Sequence, residues 1–270
     1  MKEITGGWLT TREQENSVVS KEAALLEYIL RLGDNALILG HRLSEWCSNG
    51  PVLEQDIAII NISLDQVGLA RNYYKLAAEI EGGDRTEDFY AYKRDVFDFK
   101  NILMLELPNG HWGDTIARQF FYDTYHFFIL EELKNCADER IAAIAAKAIK
   151  EVAYHAQYSA EWVIRLGDGT DESHKKMQEA IDNVWEWTGE MFETNEIDGL
   201  MEDANIAPNT EAIKKLWNEK VTQVLEIATL TKPEEGWSQT GGKMGVHTQY
   251  LGLILAEMQY YPKSYPDAKW

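Results

Sequence analysis

The chain has 270 residues, 45% of them hydrophobic and 26% charged, so it can fold around a sizeable core and is not disordered as a whole. Twenty-six Lys and Arg against 45 Asp and Glu give a net charge of −19, which argues against binding to nucleic acid or to an anionic membrane surface. Two cysteines are too few for a disulfide scaffold or a four-cysteine zinc site. No apolar run approaches the ~20 residues that span a bilayer, and the amino-terminal sequence has no signal-peptide segment. We therefore expect a soluble, cytoplasmic protein.

Helical periodicity dominates the chain, and no segment shows the alternation of a strand. Glycine is a poor helix former, so Gly33 is a point where the first helix would bend or split. A short helix is expected near 87–94, inside an irregular stretch over 82–113. Residues 1–20 are polar and are expected to be an extension of a single domain over 21–270. The long predicted helices lie near 22–48, 54–81, 114–135, 138–166, 172–194, 210–229 and 244–261.

Long helices with short connections are typical of an all-α four-helix bundle, here with additional helices packed around it. No G-x-G-x-x-G, P-loop or G-x-S-x-G motif is present, which argues against nucleotide-binding α/β folds and serine hydrolases. In such a bundle, chemistry is carried by polar side chains that point inward, so those side chains are the candidates for function.

Bundles that bind two metal ions take one Glu from each of two helices and a Glu-x-x-His pair from each of the other two. No Glu-x-x-His occurs anywhere in the chain. On the second helix Asp65 is followed three residues later by Gly68, which has no donor atom. The nearest approaches to the pattern are Asp123-x-x-His126, Asp171-x-x-His174 and Glu151-x-x-x-His155.

These positions form an incomplete set of metal ligands. Glu151 and His155 are one helical turn apart and are expected to pair with each other. On the second helix, Asp65 shares a stripe with Asn61, Gly68, Asn72, Ile57 and Leu64, and on the first helix His41 stacks on Glu45. The candidates for a degenerate site are Glu45, Asp65, Asp123, His126, Glu151 and His155.

Two interpretations of this set remain open. The side chains either replace a metal by internal hydrogen bonds and ion pairs, in which Lys147 also takes part, or they form a di-iron site in which Asp stands in for Glu.

A glycine-rich segment, TGGKMGVHTQYLG, precedes the last helix. Gly241, Gly242 and Gly245 around Lys243 would suit a turn near an anion such as a CoA phosphate. The simpler interpretation, which we prefer, is a loop before a helix that starts near Gly245, with His247 in its first turn.

Six segments carry a resemblance to a known family and cover most of the chain from residue 24 onward, with residues 1–20 outside it. The chain resembles the C subunits of the phenylacetyl-CoA oxygenase (1,2-epoxidase) complex, the PaaC type of phenylacetic acid degradation protein. The segments are LRLGDNALILGHRLSEWC (30–47), LDQVGLARNYY (64–74), LPNGHWGDTIARQFFYDTYH (107–126), AAKAIKEVAYH (145–155), LGDGTDESHKKMQEAI (166–181) and TGGKMGVHTQYLGLILAEMQY (240–260).

The resemblance implies a ferritin-like fold and membership of a multicomponent monooxygenase. In that complex a related subunit holds the di-iron centre that activates O₂ and epoxidises the aromatic ring of phenylacetyl-CoA. A reductase with flavin and an iron–sulfur cluster supplies electrons from NADPH. The PaaC-type protein has lost the metal ligands and pairs with the catalytic subunit, so no catalytic residue, metal or cofactor is expected in this chain.

The resemblance leaves three functions to compare. They are a non-catalytic subunit of the oxygenase, a di-iron oxygenase with an unusual ligand set, and a stand-alone helical scaffold. A subunit of an obligate complex should expose a large apolar patch when it is alone and could form homodimers that imitate the native pair.

Overall fold

The computed structural model describes residues 19–268, and every regular element in that range is helical. The predicted all-α, ferritin-like class is thereby confirmed. The extension predicted for residues 1–20 lies outside the described range except for its last two residues. The helices are α1 (Lys21–Ser44), α2 (Leu53–Glu81), α3 (Glu87–Tyr92), α4 (Trp112–Leu133), α5 (Glu139–Gly167), α6 (Asp171–Trp185), α7 (Glu196–Asp203), α8 (Thr210–Ile227), α9 (Gln249–Met258) and α10 (Tyr260–Ser264).

Four of these helices form the bundle, because α1 packs along α2, α4 packs along α5, and α2 meets α5. The remaining helices lie around this core, and the buried hydrophobic side chains form one continuous cluster that reaches from α1 to α9. Side-chain caps fix several helix starts. Ser20, Asp138, Thr170 and Asn209 each accept a backbone N–H of the first turn. No helix in the described range is both long and apolar enough to cross a membrane.

Gly33 does not bend or split α1, contrary to the expectation from sequence. A Cβ on Gly33 would lie 2.7 Å from the Tyr74 ring, and one on Gly40 would lie 2.8 Å from Val67 and 3.2 Å from the Ser63 carbonyl oxygen. The Ser63 hydroxyl also donates to the Gly40 carbonyl oxygen at 2.7 Å. The two glycines therefore allow α1 and α2 to approach closely, and packing outweighs their poor helix propensity.

The second half of the chain departs from the predicted boundaries. The helix expected over 172–194 ends at Trp185 and is followed by a 3₁₀ turn, Gly189–Phe192, and by α7, which periodicity did not predict. The last predicted helix begins at Gln249 instead of near Gly245, because Gly245 has the left-handed φ of 77° and Thr248 caps the first turn. It is also divided into α9 and α10.

Three tryptophans close one end of the bundle. The Trp112 ring stands edge-on to Trp46 and to Trp162, with centroids 5.2 and 5.7 Å apart. The Trp46 indole donates to Thr115 Oγ1 at 3.0 Å, and the Trp162 indole donates to Gln55 Oε1 at 3.1 Å. This array joins the end of α1 to the beginnings of α2 and α4 and to the last turns of α5.

Candidate functional site

A layer of polar side chains crosses the bundle where α2, α4 and α5 face one another. All of its members are buried except Asp65, which is half-buried. We call this set the polar layer. It consists of Asp65, Gln66, Gln119, Asp123, His126, His155 and Ser159.

His155 is the connecting residue of the layer. Its Nε2 lies 3.0 Å from Asp65 Oδ2 and its Nδ1 lies 3.4 Å from Gln66 Nε2. Because a carboxylate only accepts hydrogen bonds, the His155 ring donates from Nε2 to Asp65 Oδ2. His155 therefore pairs with α2 and not with Glu151 on its own helix, which corrects the pairing expected from sequence.

Asp123 is fully buried and only partly satisfied. Gln119 Nε2 donates to its Oδ1 at 3.4 Å, whereas its Oδ2 has no hydrogen-bond partner in the described part of the chain. Burial raises the pKa of Asp123 to about 6, against the opposing influence of His155, Ser159 and Arg118. The structure thus places this candidate residue inside the bundle.

His126 lies one turn along the same helix. Its ring packs on Tyr122 with centroids 5.2 Å apart, and its Nδ1 is buried without a hydrogen-bond partner among residues 19–268. Burial, and then the neighbouring His155, lower the pKa of His126 to about 3, so the ring is neutral at physiological pH.

The other candidates lie outside the layer. Glu45 is exposed and accepts from Arg42 at 2.6 Å and from the Asn109 amide at 3.1 Å. Glu151 is half-buried, Lys147 is exposed, and neither forms an ion pair or side-chain hydrogen bond within the described range. The expectation that Lys147 and Glu151 supply internal polar contacts is therefore wrong. Glu45 does form polar contacts, but they lie at the surface.

The residues of the polar layer do not fit a di-iron centre. A two-metal bundle needs four carboxylates and two imidazoles directed at one point. In the polar layer, the carboxylates of Asp65 and Asp123 and the imidazoles of His126 and His155 face amide groups and one another. Residues 19–268 contain no group of three or more His, Cys, Asp or Glu side chains placed to share a metal ion. In Asp171-x-x-His174, the His174 ring instead contacts the Gly167 carbonyl oxygen, with its Nδ1 at 2.7 Å.

A second buried polar region was not predicted. Glu106 is fully buried, and its carboxylate accepts from Asn101, from the His247 ring and from both the backbone N–H and hydroxyl of Thr248. The other His247 nitrogen lies 2.8 Å from the Phe99 carbonyl oxygen. Both nitrogens of the His247 ring therefore face oxygen atoms of this chain.

Glu190 is another acid that accepts hydrogen bonds from distant parts of the chain, including the glycine-rich segment. Its carboxylate accepts the backbone N–H groups of Leu103, Gly241 and Gly242 at 2.7, 3.0 and 2.6 Å. The two glycine N–H groups that an external phosphate would need are therefore already used by this chain. His247 precedes the helix instead of lying in its first turn, which corrects the prediction.

A third buried acid, Asp34, pairs with Arg94 and accepts from the Tyr74 hydroxyl at 2.6 Å and from the Lys100 backbone N–H at 2.8 Å. A sequence signal for two of these three acids existed, since Asp34 and Glu106 interrupt strongly apolar runs. Together the three acids attach the irregular 93–106 segment and the carboxyl-terminal segment to the bundle.

The outer side of α2 carries an exposed apolar stripe, formed by Leu53, Ile57 and Leu64. Sequence reasoning treated Ile57 and Leu64 as part of an inward stripe, but they are 53% and 63% exposed because α2 turns this side to solvent. A Cβ on Gly68, further along α2, would meet no atom of residues 19–268 within 4 Å. The adjacent α5 adds Tyr154, which is half-exposed.

Comparison with known proteins identifies the family of this chain. A family model described as "Phenylacetic acid catabolic protein" matches residues 1–270. The chain is similar to the C subunit of the 1,2-phenylacetyl-CoA epoxidase of Escherichia coli (strain K12), with 46% identity over 246 residues. The aligned part is 91% of this chain and 99% of that protein. The chain therefore belongs to the phenylacetic acid catabolic protein family that includes the PaaA and PaaC proteins.

Proposed function

We propose that this chain is a non-catalytic structural subunit of a multicomponent phenylacetyl-CoA monooxygenase that forms the ring 1,2-epoxide in aerobic phenylacetate catabolism. It acts in the cytoplasm, contains no metal of its own, and supports a related subunit that holds the di-iron centre. The similarity to a PaaC-type epoxidase protein supports the assignment to this complex.

The polar layer carries the non-catalytic part of the proposal. His155 is engaged by Asp65 and Gln66, and Asp123 is engaged by Gln119, so these side chains face amides and imidazole where a metal pair would need converging carboxylates. A bundle that uses its inward donors in this way retains its shape without a bound cation.

Iron content tests this part directly. The purified chain is incubated anaerobically with Fe(II), desalted and assayed for iron, with the catalytic subunit treated in parallel as the positive control. We expect iron near zero in this chain. Iron near two atoms per chain would instead identify a di-iron oxygenase with an unusual ligand set.

The apolar stripe on α2 supports the pairing part of the proposal. Leu53, Ile57 and Leu64 recur at spacings that lie on one helical face, which is the pattern of a helix-packing seam. Glycine within a helix interior costs about 1 kcal/mol relative to alanine, and no contact within the described part of the chain requires glycine at position 68. A closely approaching partner helix would account for both features.

Co-expression with the catalytic subunit tests pairing. We expect a soluble complex that Ile57→Asp with Leu64→Asp disrupts. Ile227→Asp is a matched control, because Ile227 on α8 has the same 53% exposure as Ile57. Failure to form any complex would favour the stand-alone scaffold. The isolated chain is also expected to form homodimers, which the Ile57→Asp and Leu64→Asp pair should dissociate.

A further inference from the structure

Four buried polar atoms of the polar layer have no hydrogen-bond partner within residues 19–268. They are Gln66 Oε1 on α2 and Gln119 Oε1, Asp123 Oδ2 and His126 Nδ1 on α4. The four residues that carry these atoms are each more than nine-tenths buried. Buried polar groups are normally hydrogen-bonded, so four unpartnered atoms in one layer require a physical explanation.

Rotation of the two amide groups does not supply the missing partners. The Gln119 amide already directs its nitrogen at Asp123 Oδ1, and the Gln66 amide directs its nitrogen at His155 Nδ1. Turning either amide over exchanges its nitrogen for its oxygen, so that the nitrogen becomes the unpartnered atom. The number of unsatisfied atoms is therefore no smaller in the other orientation.

The amide hydrogen bonds inside the layer are long. The bond from Gln119 to Asp123 is 3.4 Å long. The distance from Gln66 Nε2 to His155 Nδ1 is also 3.4 Å. The bonds of the Glu106 side chain, by contrast, measure 2.6–2.9 Å. Side chains that meet at the greater distance are not drawn fully together, which is the arrangement expected where a bridging molecule belongs to the same network.

The chemistry of the four atoms indicates what that molecule is. The two amide oxygens only accept hydrogen bonds, as does an oxygen of an ionised carboxylate, and the fourth atom is an imidazole nitrogen. The molecule that satisfies them must therefore donate hydrogen bonds and be small enough to lie between packed helices. Water meets both requirements, because it is neutral and donates two hydrogen bonds.

A cation is the competing ligand, and the charges around Asp123 disfavour it. Asp123 supplies the one carboxylate among the four unpartnered groups. Burial raises the pKa of Asp123, and the nearby His155 and Arg118 oppose that rise. Arg118 is itself buried and forms no ion pair with another described residue. An added cation would therefore be repelled by the Arg118 guanidinium, whereas a neutral water would not.

We propose that the polar layer is a binding site for ordered water molecules, which donate hydrogen bonds to the unpartnered atoms on α2 and α4. A buried water typically makes about three hydrogen bonds to groups that the protein itself leaves unsatisfied. Because the Gln119 amide and the Asp123 carboxyl group are in contact, one water can serve both. The proposal concerns the chain alone and does not depend on the complex of the proposed function.

A high-resolution crystal structure of the full chain tests the proposal. We expect a solvent peak within about 3.2 Å of Asp123 Oδ2 and of at least one of the other three atoms. Ordered side chains in the layer with no peak among them would overturn the proposal. A peak that element analysis of the desalted protein assigns to a metal ion would also overturn it.

Magnetic relaxation dispersion of water tests the same site in solution, because it counts the water molecules that remain inside the protein. Gln66→Met with Gln119→Met removes two acceptors at nearly constant volume, so we expect at least one fewer long-lived water than in the wild type. Gln157→Met with Gln249→Met, at two exposed positions, is the matched control and should leave the number unchanged.

An unchanged number of long-lived waters in the buried pair would contradict the proposal, and so would an equal loss in both pairs. Circular dichroism checks that each pair of substitutions leaves the chain folded. If the buried pair does not fold, the crystal structure of the wild-type chain decides the question alone.

Discussion

The two buried polar regions differ in how completely their hydrogen bonds are satisfied. The Glu106 carboxylate accepts hydrogen bonds at both oxygens, and His247 is engaged at both ring nitrogens. In the polar layer, four atoms are buried without partners in the described range, namely Gln66 Oε1, Gln119 Oε1, Asp123 Oδ2 and His126 Nδ1, whereas in the Glu106 region Asn101 Oδ1 is the one such atom among the described residues. Buried polar groups that fix a conformation are normally saturated. The hydrogen bonds of the Glu106 region therefore fix the conformation of the segments that they join. Those of the polar layer do so only in part.

The largest effect is expected from Glu106→Ala. This change leaves the His247 ring, the Thr248 N–H and the Asn101 amide without the Glu106 acceptor in a buried place. Breaking a buried charged pair typically costs about 3–5 kcal/mol, so we expect a loss of this size in the free energy of unfolding in urea. Glu257→Ala, at an exposed position, is the control and should be almost neutral. A loss below about 1 kcal/mol would remove the distinction between the two regions.

Asp123→Asn should raise the free energy of unfolding at neutral pH, whereas Glu106→Ala should lower it. Since burial raises the pKa of Asp123 from 3.8 to about 6, its protonated form stabilises the fold below pH 3.8, and that contribution is lost as the pH rises to about 6. Asparagine avoids the buried charge. Relative to wild type, the variant should therefore gain about 2–3 kcal/mol in unfolding free energy between about pH 4.5 and pH 8. A difference that does not change with pH would contradict the burial argument.

His126 titrates in the opposite direction in the same range. Its lowered pKa gives stability that is present above pH 6.5 and lost as the pH falls towards about 3. Because His126 is present in both the wild type and Asp123→Asn, its contribution cancels in the comparison to the extent that the two groups titrate independently.

Asp65→Ala should have a smaller effect. Its bond to His155 is 3.0 Å long, but the Asp65 side chain is 35% exposed, so solvent screens the pair and we expect a loss of about 1 kcal/mol. Glu151→Ala, one turn from His155, removes no hydrogen bond within the described range and should change the unfolding free energy by less than about 0.5 kcal/mol. Equal losses would restore the Glu151–His155 pairing that the sequence predicted.

Gly68→Ala should give a small gain in stability and should also affect pairing. Alanine has room at this position and is the better helix former, so the isolated chain should become about 0.5–1 kcal/mol more stable in thermal or urea unfolding. If a partner helix approaches α2 closely, the same substitution should weaken the complex with the catalytic subunit. Greater stability with unchanged pairing would place the partner elsewhere on the bundle.

The helices were predictable where one face is apolar over many turns, as in α5, whose buried side includes Ala148, Val152 and Val163. The stripe on α2 was assigned to the wrong side, because a helix with apolar residues on two sides does not reveal which side meets its own core. Asp65, Asp123, His126 and His155 were correctly singled out as polar residues near the core.

The contacts of those residues were not predictable. Gln66 and Gln119, which bind His155 and Asp123, have no sequence signal, because an amide is equally common at the surface. The roles of Glu106 and Glu190 depend on segments more than 50 residues away in sequence, such as Gly241 and Thr248. Pairings over such separations are set by the packed fold and not by local propensity.

The tryptophan array at one end of the bundle makes that end optically distinct. The Trp112 ring lies nearly perpendicular to both Trp46 and Trp162, and the two centroid distances are 5.2 and 5.7 Å. At this separation the excited states of neighbouring indoles couple, so we expect a circular-dichroism signal in the near ultraviolet that no single ring would give. The three rings come from the loop after α1, from the first residue of α4 and from the last turns of α5. The protein thus has a built-in reporter of whether these parts of the chain remain together.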